Sequence, residues 1–217
     1  MNLARRTVTS ISWNMAANAI SVVVFFGRSV LLARWLPVEV FGIYAYATAI
    51  VRLSVIATSF GMESAFLHRS PETEDEEQAA AVHFTLKTLF TVVWAALLLA
   101  GAAIGSSGPT HLALIILTLA VGGIHLAQTP RLILTRRVLH RRLALMDLTN
   151  TVLTTAVSLW LAWRGVALWA LLATDLVTLL VTVLFFYGWR PVWRPRLAWS
   201  AAVVRYYLQF GSRSFLA

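Results

Sequence analysis

Long apolar runs constrain this chain more than any other feature of its sequence. Six can be drawn, and each has the roughly 20 residues that an α-helix needs to cross the hydrocarbon core of a bilayer. They cover residues 10–33, 41–66, 82–104, 112–134, 145–163 and 166–188. Charged residues make up only 12% of the chain, about half the fraction of a typical soluble domain. The sequence therefore predicts an all-α, polytopic transmembrane helical bundle.

The basic residues lie in the short connections between these runs, mostly on one side of the predicted bundle. Connections on the side of the N-terminus carry eleven Lys and Arg residues, whereas those on the opposite side carry two, Arg34 and Arg164. Because Lys and Arg are enriched in cytoplasmic connections, the asymmetry predicts a cytoplasmic N-terminus. We expect a multi-pass protein in a plasma membrane of the bacterial inner-membrane type. Topology also accounts for the net charge of +9 without a nucleic-acid partner.

The same runs predict how the chain is divided. Residues 1–188 are expected to form the six-helix transmembrane bundle. Residues 189–217 are expected to form a basic cytoplasmic connection and the start of a seventh span, because an amphipathic stretch follows Pro191 and Pro195. The sequence thus predicts a fragment, or one half of a larger assembly. Its second bundle would come from the same full-length chain or from a homodimer mate.

Polar side chains recur within the apolar runs at steps that keep them on one helical face. Asn14, Asn18 and Arg28 share such a face in the first run, and Arg52 and Glu63 share one in the second. Small polar residues also mediate helix packing in lipid, so a single stripe is weak evidence. Because each of the six runs carries a stripe, the sequence favours a shared, hydrated cavity.

The ionisable residues in the runs leave alternatives open. Arg52 and Asp175 each lie about 15 Å from a span end, where a charge costs roughly 2.5–3.5 kcal/mol. They either form an ion pair or contact a substrate. Arg28 either reaches the outer interface or faces the cavity, and its position on the polar face favours the cavity. Lys87 and Glu63, near the cytoplasmic ends of adjacent spans, are expected to pair at the interface, with a coupling role as the alternative.

No catalytic, cofactor-binding or metal-binding motif is present. The sequence lacks HExxH, CxxC, P-loop, GxGxxG and GxSxG patterns. We therefore predict no enzyme activity, no cofactor and no metal. With no ATP-binding domain, transport would be driven by an ion gradient, by the membrane potential or by the substrate's own gradient.

The hairpin between the first two runs carries a family resemblance. Its segment LLARWLPVEVFGIYAYATAI, Leu31–Ile50, places an Arg after an apolar run, then a Pro turn with an acidic residue, then Phe-Gly-x-Tyr. In this it resembles the polysaccharide transporter (oligosaccharide flippase) family of the multidrug/oligosaccharidyl-lipid/polysaccharide exporter superfamily. SFGMESAFLHR, Ser59–Arg69, is similar to the end of that family's second helix. YYLQFGSRSFLA, Tyr206–Ala217, is similar to the start of the seventh, although Ser212 and Arg213 replace the usual Pro.

The resemblance implies a protein of twelve or fourteen helices in two bundles, of which this chain holds the first. It implies alternating-access movement of an isoprenoid-pyrophosphate-linked oligosaccharide across the membrane for polysaccharide biosynthesis. A pyrophosphate needs fixed positive charge in a water-filled cleft, and Arg matches phosphate oxygens well. We therefore expect Arg28 and Arg52, with Asn14 and Asn18, to contact the substrate, while the lipid tail stays in the bilayer.

Other functions stay open. A cation-coupled drug exporter of the same superfamily would use Asp175 as its coupling acid. A membrane glycosyltransferase or ligase acting on the same lipid-linked substrate would need acidic or His residues facing a large outer loop, and the short outer connections disfavour it. A non-functional truncated membrane protein, or a scaffold without transport activity, is the remaining alternative.

Overall fold

The computed structural model describes residues 3–68, 76–137, 139–189 and 191–216, and every regular element in these ranges is helical. The α-helices are α1 (Leu3–Trp35), α2 (Val38–Val55), α3 (Met62–His68), α4 (Glu76–Gly105), α5 (Gly108–Leu126), α6 (Gln128–Arg136), α7 (His140–Trp163), α8 (Ala167–Val183) and α9 (Ala201–Leu216). A 3₁₀ turn, Ile56–Thr58, follows α2, and a π turn, Leu184–Gly188, follows α8. The predicted all-α class is confirmed.

Four described segments are long and apolar enough to cross a membrane: Val38–Thr58, Glu76–Gly105, Gly108–Arg136 and Ala167–Gly188. The chain is therefore a membrane protein by length and composition of its helices, but the predicted count of six spans is not supported. Helices α1 and α7, which coincide with the predicted spans 10–33 and 145–163, are not among the four. In α7, Asp147, Asn150 and several threonines lower the hydropathy.

The helices pack in an order that leaves α1 at one edge. Helix α7 lies between α1 and α8, α8 packs against α5 and α2, and α5 packs against α2 and α4. At the turn between α1 and α2, Leu32 and Leu36 are buried against Ala162, Ala170 and Leu171 at the junction of α7 and α8. Helix α1 is thus anchored at its C-terminal end to the α7–α8 hairpin.

The predicted second span, 41–66, is broken in the structure. The chain turns at Ser59–Gly61, where Phe60 and Gly61 have φ of 42° and 66°. A helix cannot continue through these left-handed values, which Gly accepts at little cost and Phe does not. The turn separates α2 from α3 and places Ser59 and Glu63 beside α4.

The predicted fourth span, 112–134, is also interrupted, between α5 and α6 at Ala127. Pro130 has no N–H to donate to the carbonyl four residues earlier, which belongs to Leu126. The Tyr187 hydroxyl lies 3.4 Å from that carbonyl oxygen and donates to it instead. The interruption is therefore accommodated by a side chain from the π turn after α8.

Charged side chains gather at the end of the bundle where α4 begins and α8 ends. Among the described residues, three ion pairs form here: Arg137–Glu76 at 3.2 Å, Arg131–Asp147 at 3.3 Å and Arg196–Glu77 at 3.5 Å. Arg142 donates to the carbonyl oxygens of Phe185 and Trp189 at 3.3 and 2.8 Å, which satisfies backbone groups freed by the π turn. This is the end that the sequence predicts to be cytoplasmic.

After the π turn, residues 191–200 run without regular structure and pack along α4. The Ala198 N–H donates to the Thr85 hydroxyl at 3.0 Å, and the Trp193 ring contacts Phe84 edge-on. Helix α9 then packs against α3 and α4. The Tyr207 hydroxyl donates to the Ala79 carbonyl oxygen at 3.1 Å. Helix α9 therefore contributes to the packed core formed with α3 and α4.

Candidate functional site

A buried carboxylate joins α2 to α8. Asp175 accepts a hydrogen bond from Arg52 Nη2 to Oδ1 at 2.7 Å and another from the Tyr44 hydroxyl to Oδ2 at 2.8 Å. Tyr44 and Arg52 are eight residues apart on α2, so both lie on the face that meets α8. Of the two predicted alternatives for Arg52 and Asp175, the ion pair is confirmed, and the predicted substrate contact stays a prediction.

The two members of this pair differ in exposure. The Asp175 side chain is 3% exposed, whereas the Arg52 side chain is 59% exposed. Asp175 is therefore a fixed anion inside the bundle, with both oxygens occupied. Arg52 reaches it from an open position, and a further ligand can approach the guanidinium group.

Arg28 approaches the same point from α1. Its Nη2 donates to the Thr174 hydroxyl at 2.6 Å, and Thr174 directly precedes Asp175. The Asp175 carboxylate is near enough to act on Arg28 electrostatically. Arg28 is only 9% exposed, and its Nε has no hydrogen-bond partner in the described part of the chain. Arg28 thus faces inward rather than reaching the outer interface.

A cleft runs from Arg28 between α1 and α8, with α7 as its floor. It has a volume of about 570 Å³, within the roughly 300–1,000 Å³ of sites for small ligands. Most of its lining surface is apolar, but six of its ten lining residues carry a hydroxyl group, and these come from all three helices: Ser21, Thr151, Thr154, Thr155, Thr174 and Thr178. The Ser21 and Thr151 hydroxyls are 3.2 Å apart where α1 meets α7.

The other predicted contact residues on α1 cannot be placed in this cleft. Asn14 and Asn18 lie within α1, but their side chains are outside the part that the structure describes. The same holds for Ser212 and Arg213 in α9. A substrate contact by Asn14 and Asn18 therefore stays a prediction.

A second polar cluster lies where α4 passes the two broken helices. Lys87 Nζ is 3.2 Å from Glu63 Oε1 and 2.9 Å from Ser59 Oγ. The predicted Lys87–Glu63 pair is confirmed. The Lys87 side chain is 0% exposed while Glu63 is 35% exposed, and the expected position of the pair at the membrane interface stays a prediction. The break at Ser59–Gly61 turns the chain toward α4 and makes this burial feasible.

Histidines extend this second cluster. His83, one turn before Lys87 on α4, is fully buried, and its Nδ1 is 3.0 Å from the Thr129 hydroxyl in α6. Within the described residues, His83 Nε2 and His125 Nδ1 have no hydrogen-bond partner. No group of three or more His, Asp and Glu side chains among these residues is arranged to hold a metal ion. The cluster therefore joins α3, α4 and α6 mainly through one ion pair and its hydrogen bonds.

Sequence reasoning missed two residues of the first site. Tyr44 was noted only within the segment that carries the family resemblance, although its eight-residue distance from Arg52 indicates a shared face. Thr174 was not predicted, although it directly precedes Asp175. Spacing along one helix identifies a polar face, but it does not say which side chain of another helix will meet it.

Comparison with known families assigns the chain. A family model described as "Polysaccharide biosynthesis protein" matches residues 31–217, which is most of its length. The chain belongs to the polysaccharide biosynthesis protein family. This agrees with the resemblance to polysaccharide transporters carried by the first hairpin. Comparisons with curated proteins and with solved structures gave no match. Family membership and the apolar helices together support a role in membrane transport.

Proposed function

We propose that this chain is the N-terminal bundle of a flippase for isoprenoid-pyrophosphate-linked oligosaccharides, working by alternating access in the plasma membrane. The observation that carries the proposal is the convergence of Arg28 and Arg52, from different helices, on the adjacent residues Thr174 and Asp175. The protein is then a transporter rather than an enzyme. It has a cytoplasmic N-terminus and six spans, with a second bundle forming the other wall.

The charge balance of this site suits an anion. Two guanidinium groups face one carboxylate, so one positive charge is left for a ligand. Arg forks bind phosphate oxygens through paired, charge-assisted hydrogen bonds. Because Arg52 is 59% exposed, it can exchange Asp175 for a phosphate oxygen while Tyr44 still donates to Asp175. Asp175 would then be a counter-ion that holds Arg52 in place until substrate arrives.

The surroundings of the site suit a lipid-linked substrate. The part of α1 that carries Arg28 exposes large apolar side chains outside the cleft, among them Val23 and Phe26. An isoprenoid tail can remain against such a surface while its head group enters the cleft beside Arg28. The same surface is suited to contact the second bundle that the proposal requires.

The nearest rival, a cation-coupled drug exporter, assigns a different role to Asp175. A coupling acid must exchange its proton or cation during transport. Both Asp175 oxygens are already occupied by Arg52 and Tyr44, which favours a counter-ion over a coupling acid. The rival predicts that removing the Asp175 carboxylate abolishes transport while neutralising Arg52 does not.

Binding of inorganic pyrophosphate to the purified chain tests the proposal. Loss of one charged hydrogen bond typically weakens binding about tenfold or more. We expect Arg28→Gln and Arg52→Gln each to raise the dissociation constant for pyrophosphate by at least about tenfold. Arg164→Gln is the matched control, since Arg164 lies over the Trp160 ring in the turn between α7 and α8 and does not line the cleft. Absence of pyrophosphate binding, or unchanged binding when Arg28→Gln and Arg52→Gln are combined, would contradict the proposal.

A further inference from the structure

The cleft between α1, α7 and α8 has a lining suited to one class of ligand. Several of its hydroxyl protons are already donated to backbone carbonyl oxygens within their own helices. Thr178 donates to Thr174 at 2.7 Å, Thr154 to Asn150 at 2.7 Å, and Thr151 to Asp147 at 2.9 Å. A hydroxyl oxygen that has donated its proton retains lone pairs that accept hydrogen bonds. These threonines therefore offer mainly acceptors.

Asn150 adds to the acceptors in the cleft. Its Oδ1 is buried, lines the same space and has no hydrogen-bond partner in the described part of the chain. A buried polar atom without a partner is destabilising, so a ligand that donates to Asn150 would be favoured. Of the described residues that line the cleft, Arg28 is the one that carries a charge.

Apolar groups at the cleft complete the pattern. Val22 and Phe25 lie on the α1 side, and Phe25 is 63% exposed. A sugar ring presents hydroxyl groups around its edge and C–H groups on its faces. Hydroxyl edges would donate to the threonine and asparagine oxygens, while a C–H face would pack on Phe25. A hydrocarbon chain would instead leave the buried Asn150 Oδ1 without a donor, at a cost in binding free energy.

We propose that this cleft binds an uncharged sugar ring of the lipid-linked substrate, next to the phosphate that Arg28 contacts. The inference rests on the proposed flippase function and adds a site for the head group beyond the pyrophosphate. The boundary between the two subsites lies at the hydrogen bond from Arg28 Nη2 to the Thr174 hydroxyl, which is 2.6 Å long. Arg28 binds the phosphate, and the hydroxyl-lined cleft recognises the adjoining sugar.

Binding of a matched ligand series to the purified full chain tests this subsite. The probes are farnesyl diphosphate alone and farnesyl diphosphate linked to glucose, galactose or N-acetylglucosamine. We expect at least one sugar conjugate to bind more tightly than farnesyl diphosphate. The double variant Thr155→Val with Thr178→Val should reduce that gain by about fivefold for each hydrogen bond lost. Binding of farnesyl diphosphate itself should not change.

Thr135→Val is the matched control. Thr135 donates to a carbonyl four residues earlier at 3.0 Å, as Thr178 does, but it lies on α6 outside the cleft. The sugar subsite is wrong if no conjugate binds more tightly than farnesyl diphosphate, or if the gain survives in the double variant. If farnesyl diphosphate does not bind, or if Arg28→Gln leaves its binding unchanged, the flippase proposal fails and the sugar subsite fails with it.

Thiol labelling gives a second measurement that does not depend on the double variant. The sequence contains no cysteine, so Thr155→Cys introduces a unique thiol in the cleft. We expect the tightest sugar conjugate to slow its modification by a water-soluble maleimide, whereas farnesyl diphosphate slows it less. Val152→Cys, on the same helix but 59% exposed outside the cleft, should show no such protection. Equal protection at both positions, or none at Thr155, would overturn the proposal.

Discussion

At the scale of single residues, two of the ion pairs described above share a feature, because in each of them one partner is buried far more than the other. Asp175 and Lys87 are the buried partners, with side chains 3% and 0% exposed. Arg52 and Glu63 are the open partners, at 59% and 35%. A buried charge that loses its partner is strongly destabilising, whereas an open charge is rehydrated. When one member of such a pair is replaced, the loss of folding stability therefore depends on whether the remaining partner is buried or open.

For the first pair we expect Arg52→Ala to lower the free energy of unfolding more than Asp175→Asn does. Arg52→Ala leaves the buried carboxylate with the Tyr44 hydroxyl, and it should lower the free energy of unfolding by roughly 3 kcal/mol. Asp175→Asn leaves a partly hydrated guanidinium, and it should cost about 1 kcal/mol. Unfolding in detergent micelles measures both. A larger loss for Asp175→Asn would contradict the assignment of Asp175 as the buried anion.

For the second pair the order of the charges is reversed. Glu63→Gln leaves the completely buried Lys87 ammonium without a counter-charge, and it should cost roughly 3 kcal/mol of unfolding free energy. Lys87→Met leaves the more open Glu63 with its bond from Ser59, and the expected cost is about 1 kcal/mol. The same unfolding measurement compares the two variants. Equal losses would indicate that Lys87 is hydrated rather than buried.

Both pairs could be predicted from the sequence as pairs, because a charge deep in an apolar helix requires a partner. The burial of Lys87 could not be predicted. Its position near the end of a span suggested an interfacial charge, but residues 59–63 turn toward α4 and cover it. The role of Tyr44 was also missed, since a tyrosine in an apolar run gives no sign of the carboxylate it will meet.

At the scale of helices, the main difference is that two spans predicted to be continuous are interrupted in the structure. Hydropathy over residues 41–66 and 112–134 reads as two unbroken spans, because a turn made of apolar residues does not lower it. The structure breaks the first at Phe60–Gly61 and the second at Ala127. Pro130 and Gly61 were visible in the sequence, but one Gly or Pro within a membrane helix does not by itself require a break.

The first break also allows a close contact between two glycines. A Cβ added to Gly61 would lie 2.5 Å from the Gly211 carbonyl oxygen, and Gly61 has a φ of 66°. We therefore expect Gly61→Ala to displace α9 from α3 and to lower the free energy of unfolding by at least about 2 kcal/mol. Unfolding in micelles provides the measurement, and loss of protection of α9 in hydrogen exchange would locate the effect.

Gly42→Ala is the control for that prediction. Gly42 lies in α2 with no atom within 4 Å of an added Cβ. Since Ala is the better helix former by about 0.5–1 kcal/mol, this variant should be neutral or slightly more stable. If Gly61→Ala were as well tolerated as Gly42→Ala, the close approach of α3 and α9 would be wrong.

At the scale of the whole molecule, the polar helices α1 and α7 lie side by side and form the cleft together with α8. The helices of the four apolar segments, α8 among them, pack around α5. Because the polar side chains of α1 and α7 lower their hydropathy, only four of the described segments qualify as spans, and the same side chains line the cavity that the polar stripes predict. The sequence predicts which helices carry polar faces, but the order of helices around the bundle depends on contacts that only the folded chain defines.

The proposed orientation predicts opposite labelling of the two ends. Ser107→Cys lies in the turn between α4 and α5, and Arg137→Cys lies at the end where Arg137 pairs with Glu76. In intact cells, a membrane-impermeant thiol reagent should modify Ser107→Cys and should reach Arg137→Cys only after permeabilisation. The cysteine-free sequence supplies the unlabelled control. The reverse pattern would place the N-terminus outside.

Export of polysaccharide in cells tests the central claim most directly. The chromosomal copy is replaced by the Arg28→Ala/Arg52→Ala double variant, and surface polysaccharide and membrane-bound lipid-linked precursor are quantified together. Removal of both anion-binding groups should abolish surface polymer and cause the lipid-linked oligosaccharide to accumulate, while Arg164→Ala should export normally. Normal export by the double variant at normal protein abundance would contradict an anion-binding site formed by Arg28 and Arg52.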